Sequence, residues 1–201
     1  MFDHKLRPLI DPPLNRLGRH LARAGLRANH VTLAGLGFGL GAALAIAQGA
    51  FWLGLALILA SRLADGLDGA VARATELSDF GGYLDITADF VTYAAIPLAF
   101  VWYDPAANGL AGAFLLGAYY VNAASFLGFA VLAEKQRLQT DAQGRKSLYF
   151  SAGLLEGGET IAFMVALCLF PAAFAPLAWI FGALCLATAA LRLVDARRRF
   201  D

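Results

Sequence analysis

Six apolar runs, each close to the length that crosses a bilayer, leave this chain few ways to fold. They extend from about Val31 to Gln48, Phe51 to Ala72, Phe80 to Tyr103, Gly109 to Ala133, Tyr149 to Phe170 and Phe174 to Leu193. An α-helix needs about 20 residues to span the hydrocarbon layer. In lipid each backbone amide must be satisfied within the segment, so runs of this length are helices. Composition agrees: 59% of the 201 residues are hydrophobic and 15% charged, against roughly a quarter charged in soluble domains. The expected fold is an all-α integral membrane protein with six transmembrane helices and an N-terminal interfacial amphipathic helix. It forms one domain over 1–201, with an interfacial segment at 1–28, the bundle at 29–193 and a basic tail at 194–201. No cleavable signal is expected. Cys168 and Cys185 fall inside apolar runs and read as packing residues.

Charge distribution sets the orientation. The loops at 48–50, 104–108 and 171–173 contain no Lys or Arg, and all 16 basic residues lie on the other side or in the half-spans nearest to it. The excess of positive charge places that side, with both termini, in the cytoplasm of a multi-pass inner-membrane protein. After Pro12-Pro13, Leu14, Leu17 and Leu21 recur at helical spacing with Arg16, Arg19, His20 and Arg23 between them. This pattern reads as a helix lying in the interface with its basic face toward anionic headgroups, and Gly25 as its C-cap. In the first run Gly35, Gly37, Gly39 and Gly41 form overlapping small-xxx-small patterns. They permit close helix approach, within the bundle or across a dimer seam.

Six acidic side chains sit within the apolar runs: Asp65, Asp68, Asp85, Asp89, Glu156 and Glu159. Charges there are expensive and point to function. Asp65 and Asp68 share one helix face, as do Asp85 and Asp89. The turn between their helices is short, so the helices are antiparallel neighbours. All four carboxylates then lie roughly 8–14 Å below the cytoplasmic boundary. Such a group takes up protons or binds cations. Oxygen ligands favour hard ions such as Mg²⁺, Mn²⁺ or Ca²⁺, and four carboxylates suit two ions of the kind that clamp the oxygens of a phosphoryl displacement. Gly66, Gly69, Gly81 and Gly82 bare the backbone for close approach of a diphosphate. Arg73 is placed at the mouth to fork onto phosphate, and the amides opening the third helix would attract an anion.

The stretch from Asp65 through Asp68, Gly69, Ala72 and Arg73, then Gly81, Asp85 and Asp89, resembles the signature of the CDP-alcohol phosphotransferases, DxxDGxxAR followed by GxxxDxxxD. All its defining positions are filled. The resemblance implies transfer of the substituted phosphate of a CDP-alcohol, such as CDP-diacylglycerol, to a small alcohol with release of CMP. It implies metal binding by Asp65, Asp68, Asp85 and Asp89, with Mg²⁺ or Mn²⁺ at two per site. Asp89 is also the implied base toward the acceptor hydroxyl; the alternative is a ligand alone. Gly69, Ala72, Arg73, Ser78 and Gly81 are implied to cradle the cytidine diphosphate. Asn29 and Thr32 match the family's PNxxT element, with Ala28 where the family has Pro. A homodimer in membrane lipid is implied, and no nucleic-acid partner is expected.

The acceptor side is open at this level. Lys135, Glu156, Glu159 and Arg192 form one candidate acceptor pocket, the Glu residues meeting hydroxyls or an ammonium and the bases an anionic group. In the alternative, the Glu residues pair internally with Arg62 or Arg192, and Arg145 and Lys146, with Arg137 in the same loop, enforce topology. Glycerol 3-phosphate, inositol or its phosphate, serine and choline are all compatible acceptors. The rival function, a divalent-cation transporter or channel, would place polar residues across the midplane, and here the outer halves of the runs are nearly free of charge.

Overall fold

The structure, a computed structural model, describes residues 3–135 and 157–200, with side chains from residue 11 onward. The helices in chain order are α1 (Asp3–Arg23), α2 (Ala28–Ala47), α3 (Phe51–Ala74), α4 (Asp79–Tyr103), α5 (Pro105–Lys135), α6 (Gly157–Leu169) and α7 (Phe174–Phe200), and a 3-10 turn at Pro171–Ala173 precedes α7. Among the described residues there is no strand. Helices α2 to α7 follow the six apolar runs in order. Four of them, α2, α4, α5 and α7 with its preceding turn, are long and apolar enough to cross a membrane. Helix α3 is 24 residues long but carries Arg62, Asp65, Asp68 and Arg73, and α6 has 13 residues. The start of the fifth run, with Glu156, and the loop before it, with Arg137, Arg145 and Lys146, lie outside the described residues.

Local chemistry sets the helix ends. Gly25, at φ 84°, closes α1: its amide bonds to the Ala22 carbonyl, and the Leu26 amide reaches back to Leu21. Gly49, at φ 77°, closes α2 in the same way, with bonds from Gly49 to Ile46 and from Ala50 to Ala45. This paired pattern needs a left-handed residue, which glycine adopts without steric penalty. Ser78 opens α4 by accepting a bond from the Gly81 amide at 3.0 Å. Asp104 opens α5 by accepting from Ala107 at 3.0 Å, followed by Pro105 in the first helical turn.

Two boundaries differ from the sequence reading. Helix α1 begins at Asp3, ahead of Pro12-Pro13. Both prolines are exposed, on a side where water can meet the carbonyls their missing amides leave behind. At the other end, 194–200 continue α7 instead of forming a separate tail. Arg199 pairs with Asp195 at 2.8 Å, and Phe200 meets Phe129 with ring centroids 5.3 Å apart.

Helix α2 packs on both α3 and α4, α5 packs along α7, and α1 crosses α3. Glycine sets the closest approaches. A Cβ on Gly39 would lie 2.6 Å from Thr92 Oγ1 on α4, and one on Gly35 3.1 Å from Ala64 Cβ on α3. Gly37 faces open space, so only part of the small-residue stripe is used inside the chain. The core lies in one half of the bundle, where Phe100 stacks between Phe51 and Phe174 and Ile46, Ile58, Ile96, Leu115 and Met164 are fully enclosed. Cys168 and Cys185 are buried there as free thiols. Exposed Trp52, Trp102 and Tyr103 mark the end of this half, as aromatic side chains do at a headgroup layer. The opposite half, where α2 and α4 begin and α3 ends, holds the aspartates.

Candidate functional site: an aspartate cluster under an open cleft

Helices α3 and α4 are antiparallel, so side chains at equal distance from the connecting turn come level. Asp68 lies six residues before the end of α3 and Asp85 six residues after the start of α4. At 1.5 Å per residue both sit about 9 Å from the turn. Asp65 projects from the same face of α3 one turn further in. One carboxylate oxygen from each of Asp65, Asp68 and Asp85 falls within 4.8 Å of the others. Three hard oxygen donors at that spacing fit a divalent cation such as Mg²⁺ or Mn²⁺, and the group offers no sulfur or imidazole that would favour a softer metal.

Asp68 is 5% exposed and is fixed by a neighbour from another helix. Thr32 Oγ1 on α2 donates to Asp68 Oδ2 at 2.6 Å. The hydroxyl thereby orients the carboxylate, the role that partners of metal ligands commonly have. Thr32 was read from the sequence as a nucleotide contact; it is also a support for a cluster aspartate.

Asp89 is placed differently from the other three. It lies one turn deeper on α4, level with the interval between Asp65 and Arg62 on α3. Arg62 Nη1 donates to Asp89 Oδ1 at 2.6 Å, and the same nitrogen is 4.0 Å from Asp65 Oδ2. Tyr93, one turn further along α4, donates to Asp89 Oδ2 at 3.3 Å, and the guanidinium lies 5.5 Å from the Tyr93 ring centroid. Asp89 therefore lines the same small cavity as the cluster but is engaged by a cation of the chain itself. The sequence reading offered Arg62 only as a partner for glutamates. A lone arginine three residues before Asp65 in an apolar run was the signal for its present role.

Above the cluster an open cleft of about 940 Å³ lies between the end of α1, the start of α2, the end of α3 and the start of α4. All seven residues expected at the cytidine diphosphate, Asn29, Thr32, Gly69, Ala72, Arg73, Ser78 and Gly81, line it. Thr32, Asp68 and Asp85 line both the cleft and the cavity beneath, so the two spaces share a wall. Arg27, which the sequence reading passed over, also lines the cleft. Its place immediately before α2 is the feature that would have found it. The Gly81 amide is taken by Ser78 Oγ, which removes it from the amides expected to attract an anion.

Of the residues proposed for an acceptor pocket, the three that are described are not gathered here. Lys135 is exposed at the end of α5 and Glu159 is half-buried in the first turn of α6; Glu156 lies outside the described residues. Arg192 is buried between α5 and α7, where Nη1 donates to Ser125 Oγ at 2.6 Å and to Asn122 Oδ1 at 3.1 Å. Lys135, Glu159 and Arg192 do not line the cleft or the cavity.

A family model described as CDP-alcohol phosphatidyltransferase matches residues 26–192. The inner membrane protein YnjF of Escherichia coli is 46% identical over 193 residues, 96% of this chain and 94% of that protein. The archaetidylinositol phosphate synthase of Pyrococcus horikoshii is 40% identical over 94 residues, 46% of this chain and 50% of that one. The backbone resembles Mycobacterium tuberculosis phosphatidylinositol phosphate synthase in complex with manganese and citrate, with TM-score 0.72, 23% identity and coverage of 91% of this chain and 88% of that one. At that identity the likeness is one of fold.

Proposed function

The chain belongs to the CDP-alcohol phosphatidyltransferase family, and from that premise we propose that it transfers the phosphatidyl group of a CDP-diacylglycerol-like donor to a small alcohol, releasing CMP, as a multi-pass inner-membrane enzyme of phospholipid synthesis. The observation that carries this reading is the position of the Asp65, Asp68 and Asp85 cluster directly beneath a cleft lined by every residue expected at the cytidine diphosphate. A manganese complex in a protein of the same fold and the membrane location of a relative nearly half identical support it. With the site in the cytoplasmic half, a water-soluble acceptor would reach it from the cytoplasm.

The residues divide the work by position. Asn29, Gly69, Ala72, Ser78 and Gly81 form the wall for the nucleotide. Arg73 meets its phosphates, and a planar guanidinium suits that task. Asp65, Asp68 and Asp85 would hold Mg²⁺ or Mn²⁺, whose charge neutralises the diphosphate and improves CMP as a leaving group. The acceptor oxygen forms a bond to the phosphorus bearing the diacylglycerol while the bond from that phosphorus to the CMP oxygen breaks. Asp89, which accepts from Arg62 at Oδ1 and from Tyr93 at Oδ2, takes the hydroxyl proton.

The test is incubation of purified protein with labelled CDP-diacylglycerol, Mn²⁺ or Mg²⁺, and a panel of glycerol 3-phosphate, inositol, inositol phosphate, serine and choline. CMP release that requires one acceptor and stops on chelation is expected. Turnover that persists after complete metal removal, or no CMP with any acceptor, would overturn the assignment.

A further inference from the structure

We propose that the basic outer face of α1, made by Arg16, Arg19 and Arg23, is a binding surface for anionic phospholipid headgroups, and that headgroups bound there hold one wall of the cleft in place and so tighten nucleotide binding. The effect on the nucleotide rests on the reading of the cleft given above, while the lipid surface stands independently of it.

Each side of α1 has its own chemistry. Leu14 and Gly18 lie against Gly66 and Ala70 of α3. The helical repeat puts Arg16, Arg19 and Arg23 on the opposite side, and all three are exposed. Among the described residues no carboxylate pairs with any of them. His20 is exposed beside the row, with Nδ1 2.8 Å from the Arg16 carbonyl oxygen. Leu17, on one flank, is 45% exposed; Ala22, on the other, lines the cleft. An apolar flank next to a row of guanidiniums is satisfied together only at the headgroup layer, where Leu17 meets acyl chains and the arginines meet phosphates. A surface of net negative charge attracts each of these arginines, and one of zwitterionic lipid attracts them far less.

The helix itself connects this surface to the cleft. The end of α1 and its link to α2 contribute Ala22, Gly25, Leu26 and Arg27 to the cleft wall. The other walls come from α2, α3 and α4. Phosphates gripping the outer face hold α1 from the side opposite its seat on α3, so this wall is ordered before nucleotide arrives. Nucleotide binding is then spared the cost of ordering it. Such coupling is reciprocal: nucleotide in the cleft also strengthens the hold on anionic lipid. The nonspecific effect of a negative membrane has the opposite sign, because it repels an anionic nucleotide. The two effects are therefore separable.

The test uses the full chain in nanodiscs of phosphatidylcholine, with and without phosphatidylglycerol. Electron paramagnetic resonance of spin-labelled phosphatidylglycerol and phosphatidylcholine reads which lipid the protein holds. Calorimetric titration with CDP at saturating Mn²⁺ reads the cleft. Wild type is expected to restrict phosphatidylglycerol over phosphatidylcholine and to bind CDP about fivefold tighter or more when phosphatidylglycerol is present, within the usual range of coupling between sites. The combined variant Arg16→Gln, Arg19→Gln, Arg23→Gln should lose both effects, and the corresponding three Arg→Lys changes should keep them. No lipid preference in wild type, or a preference unchanged in the Gln variant, would overturn the surface. A lipid preference with CDP affinity equal or weaker in phosphatidylglycerol would overturn the coupling. No CDP binding in either lipid would instead count against the proposed function, with the spin-label comparison still deciding the surface. Should the triple Gln variant fail to fold, Arg19→Gln alone is expected to lower the lipid preference, and an unchanged preference would overturn the assignment of the row.

Discussion

Asn15 on α1 accepts two hydrogen bonds from Arg73 on α3, from Nε at 3.3 Å and from Nη2 at 3.0 Å. The pair ties the N-terminal helix to the one cationic position of the family signature, at the cleft proposed for the nucleotide. Two contacts beside Asn15 hold α1 in place. Leu14 packs on Gly66, and a Cβ on Gly18 would lie 2.7 Å from Ala70 Cβ.

Asn15→Ala is expected to leave Arg73 free to swing and to raise the donor KM. Loss of a hydrogen bond to a charged group corresponds to about 1.5–3 kcal/mol, roughly 10- to 150-fold; with Arg73 exposed, the lower end applies. The acceptor KM stays unchanged. In an Arg73→Ala background, Asn15→Ala should add nothing. Additive losses would show that Asn15 acts through something other than Arg73.

Gly18→Val would drive a branched side chain into Ala70. Overpacking of this kind costs about 1–3 kcal/mol, so the melting temperature should fall and the donor KM rise together as α1 lifts from α3. Gly37→Ala, which faces open space, serves as the control and should match wild type or exceed it slightly, since alanine favours helix. A Gly18→Val protein with normal stability and donor binding would contradict this seating of α1.

Thr32→Val keeps the shape of the side chain but removes the hydroxyl at 2.6 Å from Asp68. Loss of a ligand's supporting partner typically weakens metal binding about 10- to 100-fold. Manganese titration should show a loss in that range, with Thr32→Ser recovering most of it. An unchanged affinity would mean that Asp68 needs no support from α2.

Asp89→Asn removes the proposed proton acceptor and leaves the three-aspartate cluster in place. Turnover should fall by about 10²–10⁴, the usual contribution of a general base, while manganese still binds. Asp68→Asn should instead lose both turnover and metal. Full turnover in Asp89→Asn would remove the base from the mechanism.

Arg192→Ala removes the bonds that join α7 to Asn122 and Ser125 of α5. It should lower thermal stability by about 1–3 kcal/mol with little change in acceptor KM. A selective rise in acceptor KM at unchanged stability would instead return Arg192 to the acceptor pocket.

The sequence alone determined that the chain is helical, because long apolar runs admit no other backbone in lipid. It also put Asp65 with Asp68 and Asp85 with Asp89, because spacings of three and four residues share a helix face. A short turn made their helices antiparallel. Gly25 as a helix stop was equally legible, since few other residues accept its backbone angles. Only the tertiary structure decided which carboxylates meet. Helix rotation and crossing are set by side-chain packing between segments distant in sequence, such as Gly39 on Thr92 and Gly18 on Ala70, and a periodicity along one helix contains neither. That packing placed Asp89 beside Arg62 instead of among the other three, brought Thr32 to Asp68 across 36 positions, and brought Asn15 to Arg73 across 58.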